Sequence, residues 1–164
     1  MLFRFILLLF PVIFFCIQIP AQNTPFPPPN QMQVYSIQQL EFGSFSTGAS
    51  GGMVVISPQG VRTPSGSVIL MGSSFNQAIF EIQLIPGRLV DVIMGPQIQL
   101  TRIGGGGSMN MQVGPSDRGT SFITNGGHPF MNTVNVGGTL YVGNSTANPP
   151  GSYEGTFSVT FIQE

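Results

Sequence analysis

The C-terminal stretch SYEGTFSVTFIQ, residues 152–163, is the clearest indication of fold in this sequence. Its apolar side chains alternate with polar ones along the segment. One side carries Tyr153, Phe157, Val159 and Phe161, and the other carries Glu154, Thr156, Ser158 and Thr160. Alternation with a period of two is typical of a β-strand that has one buried and one solvated face. We therefore expect a half-buried strand here.

The same kind of pattern extends back to Met32. Short runs rich in Val, Ile and Phe are separated by Gly, Pro, Ser and Asn, and no stretch has the apolar spacing of an amphipathic helix. Gly137 and Gly138 interrupt one run, which indicates a bulge or a strand that crosses between sheets. The pattern predicts one all-β domain over residues 32–164. Strands are predicted at residues 33–45, 53–57, 67–71, 78–84, 89–94, 98–102, 108–113, 133–142 and 152–163.

The composition favours a folded chain with little surface charge. Apolar residues make up 41% of the 164 residues, which is too many for a disordered chain. Charged residues make up only 7%, against about 25% in an ordinary soluble domain. Apart from Arg4, four of the five basic residues remain against six acidic ones, so no basic patch exists for nucleic acid. A nearly neutral surface associates readily, and we expect other protein chains as partners.

The first 21 residues have the layout of a secretory signal peptide. Arg4 precedes an almost unbroken apolar run, residues 5–17, and Ala21 is a small residue before the expected cleavage site. A buried helix or an uncleaved membrane anchor is the alternative, but the run is shorter than the about 20 residues of a comfortable membrane span. Large residues precede Cys16, which argues against lipid attachment. We expect a protein that reaches the periplasm or the bacterial cell surface and meets the membrane only during export.

The expected mature chain begins at Gln22 and contains no cysteine, because Cys16 is the only one. It can form no disulfide and no thiolate metal site, so its stability must come from packing. Residues 22–31, QNTPFPPPNQ, contain four prolines, which fix φ and remove backbone donors. This segment predicts an extended linker, and a frayed N-terminus is an equally good interpretation.

Few residues could carry catalytic chemistry. His128 is the only histidine, and a zinc site would need three or four ligands. Glu81 and Asp91 could face each other across a hairpin, but like charges opposite one another are unfavourable in a sheet, so nearby arginines are better neighbours. Residues 117–119, DRG, are typical of a solvated turn. We predict no catalytic, cofactor-binding or metal-binding residues, no cofactor and no enzymatic activity.

Five segments follow one another along the chain, and each matches a short motif. They are LEFGSF (40–45, L-x-F-G-x-F), VVISPQGVR (54–62, T-I-S-P-x-G-x-R), AIFEI (78–82, A-x-F-x-V), VGGTLYV (136–142, V-G-G-T-L-x-V) and PGSYEGTFSVT (150–160, P-G-x-Y-x-G-T-F-x-V-T). In this order they resemble the signatures of a bacterial domain-of-unknown-function family, number 4402. The resemblance implies a secreted antiparallel β-sandwich of immunoglobulin-like or pilin-like form. It also implies a likeness to spore coat protein U and to chaperone–usher pilus subunits. It supplies no catalytic residues, because the family has no established activity.

These observations predict a secreted or cell-surface structural or adhesive protein, such as a subunit of a pilus-like or matrix assembly. An extracellular module that binds a glycan or a small ligand is the alternative, although sugar platforms favour exposed Trp and Tyr, and the chain has no Trp and three Tyr. A hydrolase is the least supported class. Assembly could use a strand donated to a neighbouring sheet. Residues 32–37 are the only N-terminal stretch fit for donation, unless they form the domain's own first strand.

We expect the exported protein to begin at Gln22, which N-terminal sequencing or intact mass measurement would show. Leu8→Asp places a charge inside the apolar run and should leave the uncleaved precursor inside the cell. Asn23→Asp, which lies after the cleavage site, should leave processing unchanged. An exported protein that still carries residues 1–21 would contradict the interpretation as a signal peptide.

Overall fold

The computed structural model describes residues 30–164. The predicted signal peptide and most of the Pro-rich segment lie outside the described residues. The strands are β1 (Gln33–Gln38), β2 (Ser44–Ile56), β3 (Arg62–Met71), β4 (Ala78–Gln83), β5 (Leu89–Met94), β6 (Ile98–Arg102), β7 (Ser108–Ser116), β8 (Ser121–Ile123), β9 (Met131–Val142), β10 (Tyr153–Glu154) and β11 (Val159–Gln163). All of their pairings are antiparallel, so the predicted all-β antiparallel fold is confirmed.

The strands form two sheets that share one core. The larger sheet runs in the order β1-β4-β9-β7-β6-β10, with β2 and β3 attached through β9, and the smaller sheet is β11-β5-β8. Phe80 of β4 and Phe161 of β11 pack edge to face across the sheets, with ring centroids 5.5 Å apart. Burying one aliphatic side chain contributes about 1.5–3 kcal/mol, and packing of this kind must stabilise a chain without disulfides. The most deeply buried core residues are Val54, Ile56, Ile82, Val90, Val134 and Val136.

The larger sheet is organised around β9. This strand pairs with β4 through residues 131–136 and with β2 through residues 138–142. Gly137 lies at the changeover, where a Cβ atom would be 2.2 Å from the carbonyl oxygen of Ile56. A Cβ atom on Gly138 would be 2.6 Å from Cδ2 of Leu40. The glycine pair does not break the strand, since β9 runs from Met131 to Val142 within one sheet and does not cross to the other. The register shift opposite Gly137 lies in β7, between Val113 and Ser116. Only glycine leaves room for so close an approach.

A tight turn joins β2 to β3. The Oγ of Ser57 accepts hydrogen bonds from the backbone N–H groups of Gln59 and Val61, each at 3.2 Å. The Ser57 N–H also donates to the Val61 carbonyl at 2.9 Å. Gly60 has a φ of +74°, which residues with a side chain rarely adopt. The S-P-x-G part of the second sequence segment is therefore the chemistry of this turn.

Residues 152–163, predicted as one strand, are two strands in different sheets. β10 pairs with β6 in the larger sheet, whereas β11 pairs with β5 in the smaller sheet. The predicted alternation in burial is nevertheless confirmed, since the chain keeps its apolar side toward the core as it crosses. Gly155 lies at the crossing, where a Cβ atom would be 2.8 Å from Cδ2 of Leu100.

The first predicted strand, residues 33–45, also divides. β1 ends at Gln38 and β2 begins at Ser44, and Gly43 between them has a φ of +69°. Because β1 pairs with β4 of the same chain, residues 32–37 build the domain's own first strand and are not a free donor. β2 begins nine residues before the predicted start at Met53, and β8, only three residues long, was not predicted.

We expect Gly137→Ala to lower the free energy of unfolding by about 2–3 kcal/mol, because the new methyl group would collide with the Ile56 carbonyl of the paired strand. Gly127→Ala is the control, since a Cβ atom there meets nothing within 4 Å, and its effect should stay within about 0.5 kcal/mol. Urea unfolding of both variants measures the difference. Equal stability of the two would show that the approach at Gly137 is not tight.

Candidate functional site

An open cleft lies between the end of β1 and the segment that leads into β11. Its volume is about 440 Å³. None of the side chains around it ionises near neutral pH, so the lining provides no general acid, no general base and no carboxylate or imidazole ligand. Its hydroxyl, amide and aromatic groups suit contact with a neutral partner. The lining residues are Ser36, Gln38, Gln39, Leu40, Phe80 and residues 155–159.

On one side of the cleft, β11 has an open backbone edge. The Gly95 N–H donates to the Ser158 carbonyl at 2.9 Å, and the Glu164 N–H donates to the Leu89 carbonyl at 3.1 Å. Backbone groups alternate in direction along an antiparallel ladder. The N–H and C=O groups of the even-numbered residues of β11 therefore point toward β5, and those of the odd-numbered residues point away from it. Within residues 30–164, no strand pairs with this outer edge. The residues whose backbone groups point away from β5, called outward residues below, are Val159, Phe161 and Gln163.

On the other side of the cleft, β1 has an open edge as well. In β4, the backbone groups of even-numbered residues point toward β9, so those of odd-numbered residues point toward β1. Gln83 and Glu81 pair in this way with Gln33 and Tyr35 of β1. The backbone groups of Val34 and Ser36 therefore point outward, and no other strand of the described range pairs with them. The register of β1 shifts at Ile37, which makes this edge irregular.

Apolar side chains beside these two edges are exposed. Val34 is 43% exposed and Ile37 is 56% exposed on β1, and Ile162 is 41% exposed on β11. A strand added at such an edge gains main-chain hydrogen bonds and also covers apolar surface. The arrangement can therefore bind an extended polypeptide without any charged group. Sequence patterns missed these edges, because alternation gives the buried face of a strand and not its neighbours.

The two carboxylates weighed as a catalytic pair lie apart. Glu81 belongs to β4 in the larger sheet and Asp91 belongs to β5 in the smaller sheet. Each points away from the core, because the neighbouring Ile82 and Val90 are fully buried. The hairpin that would have placed them opposite each other is not formed. Two carboxylates on opposite outer faces cannot act together on one bond.

His128 lies in the exposed loop before β9, and its ring packs edge to face with Phe130 at a centroid distance of 5.4 Å. Among residues 30–164, no group of three or more His, Cys, Asp or Glu side chains could hold a metal ion. The same range contains no helix that is long and apolar enough to cross a membrane.

The DRG turn is anchored to β9, whereas the sequence indicated only a solvated turn. The carboxylate of Asp117 accepts hydrogen bonds from the backbone N–H and the side-chain amide of Asn135, at 2.8 and 2.7 Å. The Nε of Arg118 donates to the Thr133 carbonyl at 3.0 Å, and its guanidinium lies over the ring of Phe122. These contacts give both charged groups a role in holding the turn.

Arg62, from the second sequence segment, joins the two ends of the β2–β3 hairpin. Its guanidinium donates to the carbonyls of Ser44 at 2.5 Å and Met71 at 3.3 Å, and it lies 5.4 Å from the ring centre of Phe75. Ser44 and Met71 lie at the opposite end of the ladder from Arg62 and Ile56. The hairpin is therefore curved, so that its two ends come close together, and its register shifts between residues 47 and 52.

The surroundings of Arg62 are those of a structural cation. Burial lowers the pKa of its guanidinium from the ordinary value, and its Nε is buried without a hydrogen-bond partner among the described residues. Its hydrogen-bond partners are backbone carbonyls, whose partial negative charge stabilises the cation in place of a carboxylate. Arg62 is the last residue of the second sequence segment, and its contacts depend on the fold of the hairpin.

Residues 30–164 thus define an antiparallel β-sandwich with two open strand edges beside an uncharged cleft. The family described as Domain of unknown function (DUF4402) matches residues 32–162. The chain belongs to this family, which confirms the resemblance seen in the five sequence segments. Comparison with curated proteins and with solved structures gave no match. The likeness to spore coat protein U stays a prediction.

We expect Arg62→Ala to destabilise the protein by about 2 kcal/mol, because the carbonyls of Ser44 and Met71 lose a charged donor. Arg88→Ala is the matched control, since its guanidinium donates one exposed hydrogen bond to Asn30, and its effect should be within about 0.5 kcal/mol. Thermal and urea unfolding measure both. An Arg62 variant as stable as the Arg88 variant would contradict the role of Arg62 in closing the hairpin.

Proposed function

We propose that this protein is an exported structural protein of the bacterial cell surface that joins other protein chains by β-strand pairing. One observation supports this above the others. On the same side of the sandwich, β1 and β11 both direct unpaired backbone groups outward, and they flank a cleft without ionisable side chains. A row of backbone N–H and C=O groups is complementary to another strand and to little else.

The low charge of the chain supports a protein partner. Charged residues make up 7% of the sequence, and the exposed side chains on β1 and β11 are uncharged, with Val34, Ile37 and Ile162 among them. Binding of nucleic acid or of an anionic surface needs clustered positive charge, which this composition does not provide. Pairing between strands needs none, because main-chain hydrogen bonds supply the affinity and apolar side chains add to it.

The positions of the polar residues also favour assembly over catalysis. Glu81 and Asp91 point outward from different sheets, and Asp117 is engaged with Asn135 in holding a turn. The carboxylates with the strongest sequence case for chemistry are thus separated or used in the fold. The open edges remain the surface with an evident binding capacity.

We expect the mature chain, residues 22–164, to be found on the cell surface and to associate as its concentration rises. Cell fractionation and light scattering coupled to gel filtration measure the two properties. Ile162→Lys places a charge beside the open edge of β11 and should weaken association at least fivefold, since a desolvated charge opposes strand addition.

Ile69→Lys is the matched control, because Ile69 is 67% exposed on β3, away from the cleft. It should leave association unchanged. A mature chain that stays monomeric at every concentration and is recovered only in the soluble fraction would contradict the proposed function. Equal effects of the two lysine variants would show that association does not use the side with the open edges.

A further inference from the structure

Most outer strands of the two sheets carry features that hinder the addition of another strand. β10 has two residues and β8 has three, which leaves little edge to pair with. The edge of β1 is broken by its register shift at Ile37. Short strands and irregular registers are common ways in which sheet edges are kept from pairing.

A proline interrupts the outer edge of β3 near the start of the strand. The Ser57 N–H donates to the Val61 carbonyl, so the backbone groups of Val61, Thr63 and Ser65 point toward β2. Those of the residues between them point outward. Pro64 is one of these residues, opposite Val54. It has no N–H group, so it removes a donor where an added strand would need one and leaves the hairpin's own ladder intact.

β11 has none of these features. It is five residues long, VTFIQ, with an unbroken register against β5. It contains no proline, no glycine and no charged residue, and three of its residues are β-branched. β11 therefore presents a regular edge for pairing, and β-branched and aromatic residues are those that favour a strand.

We propose that β11 pairs with β11 of a second copy of this chain, antiparallel and about a two-fold axis at Phe161. This inference rests on the proposed function and names the edge and the partner. About this axis, Phe161 lies opposite Phe161 of the other copy and Val159 lies opposite Gln163 of the other copy, so residues with outward backbone groups pair with each other. All of the outward backbone groups of β11 obtain partners, and the two smaller sheets become one continuous sheet.

The distribution of charge favours this antiparallel register. Glu164 follows β11 and is the nearest ionisable residue in the chain. In the proposed register it lies opposite Ser158 of the other copy, so the two carboxylates are at opposite ends of the interface. A parallel arrangement in register would place the two Glu164 side chains side by side, where like charges are unfavourable.

Side chains on both faces gain contacts. Phe161, half-buried against Phe80, lies beside its own copy across the axis, and cross-strand aromatic pairs stabilise sheets. On the outer face, Ile162 lies opposite Thr160 of the other copy. A five-residue edge nevertheless buries less than the about 800 Å² per partner of a standard interface. The pairing is therefore weak in dilute solution and takes effect where chains are held close together, as on a surface.

Gln163→Pro tests the edge directly in the mature chain. The Gln163 N–H points outward, so proline removes a donor to the second copy and keeps the hydrogen bonds of Ile162 and Glu164 to β5. We expect association to weaken at least tenfold by sedimentation. Gln163→Ala, which keeps the N–H group, should stay within twofold of the unmodified chain. Circular dichroism checks that both variants are folded.

Disulfide trapping tests the register and does not depend on the proline variant. The mature chain has no cysteine of its own. Residues 160 and 162 of two copies would form a non-hydrogen-bonded pair, with Cα atoms about 4.5 Å apart, which a disulfide can span. A mixture of Thr160→Cys and Ile162→Cys chains should cross-link on mild oxidation severalfold more than either chain alone. A mixture of Thr160→Cys and Ile69→Cys chains should not.

Association that ignores Gln163→Pro and gives no preferential cross-link between positions 160 and 162 would overturn this inference. The proposed function would then still stand, with another surface as the site of assembly. If the mature chain neither associates nor reaches the surface, the proposed function itself fails.

Discussion

The structure depends on one requirement, that the backbone hydrogen-bonding groups of every strand find partners. Without disulfides or helices in the described range, these partners come from neighbouring strands. β9 meets the requirement by pairing with β4, then β2, on one edge and with β7 on the other. Gly137 and Gly138 make this possible, because side chains at those positions would hold the strands and the Leu40 side chain apart. At the outer edges of β1 and β11 the requirement is unmet within the described residues, and the proposed function rests on these edges.

A nearly uncharged chain has few ways to fix its shape with ion pairs, and Arg62 illustrates the alternative. Its guanidinium is stabilised by backbone carbonyls at the ends of the β2–β3 hairpin and by the ring of Phe75. Asp117 is the negatively charged counterpart, since its carboxylate accepts hydrogen bonds from the backbone and side-chain amides of Asn135. In both cases the charge is compensated by main-chain or amide groups, so an ionised side chain serves the fold without a counter-ion of opposite charge.

The sequence predicted the faces of strands better than their neighbours. Alternation over residues 153–161 correctly assigned the buried side, because burial depends on each residue's own hydropathy. It could not reveal that Gly155 separates two sheets, since a strand that changes partners keeps the same period. Three-residue β8 is too short for any periodicity. The contacts of Arg62 and the openness of β11 follow from topology, and long-range pairing leaves no local trace in the chain.

An open, apolar strand edge is hazardous for a protein inside a crowded cell, because it pairs with any unfolded chain. Such an edge is tolerable when pairing is the task and when the chain folds away from other unfolded polypeptides. The strands of this chain differ in how well their outer edges are protected from pairing. β8 and β10 are short, β1 is irregular and β3 is interrupted by Pro64 and by a register shift, whereas VTFIQ is regular throughout. A regular edge at β11 beside irregular or interrupted edges elsewhere would confine the proposed pairing to a defined direction, which is the property that separates assembly from aggregation.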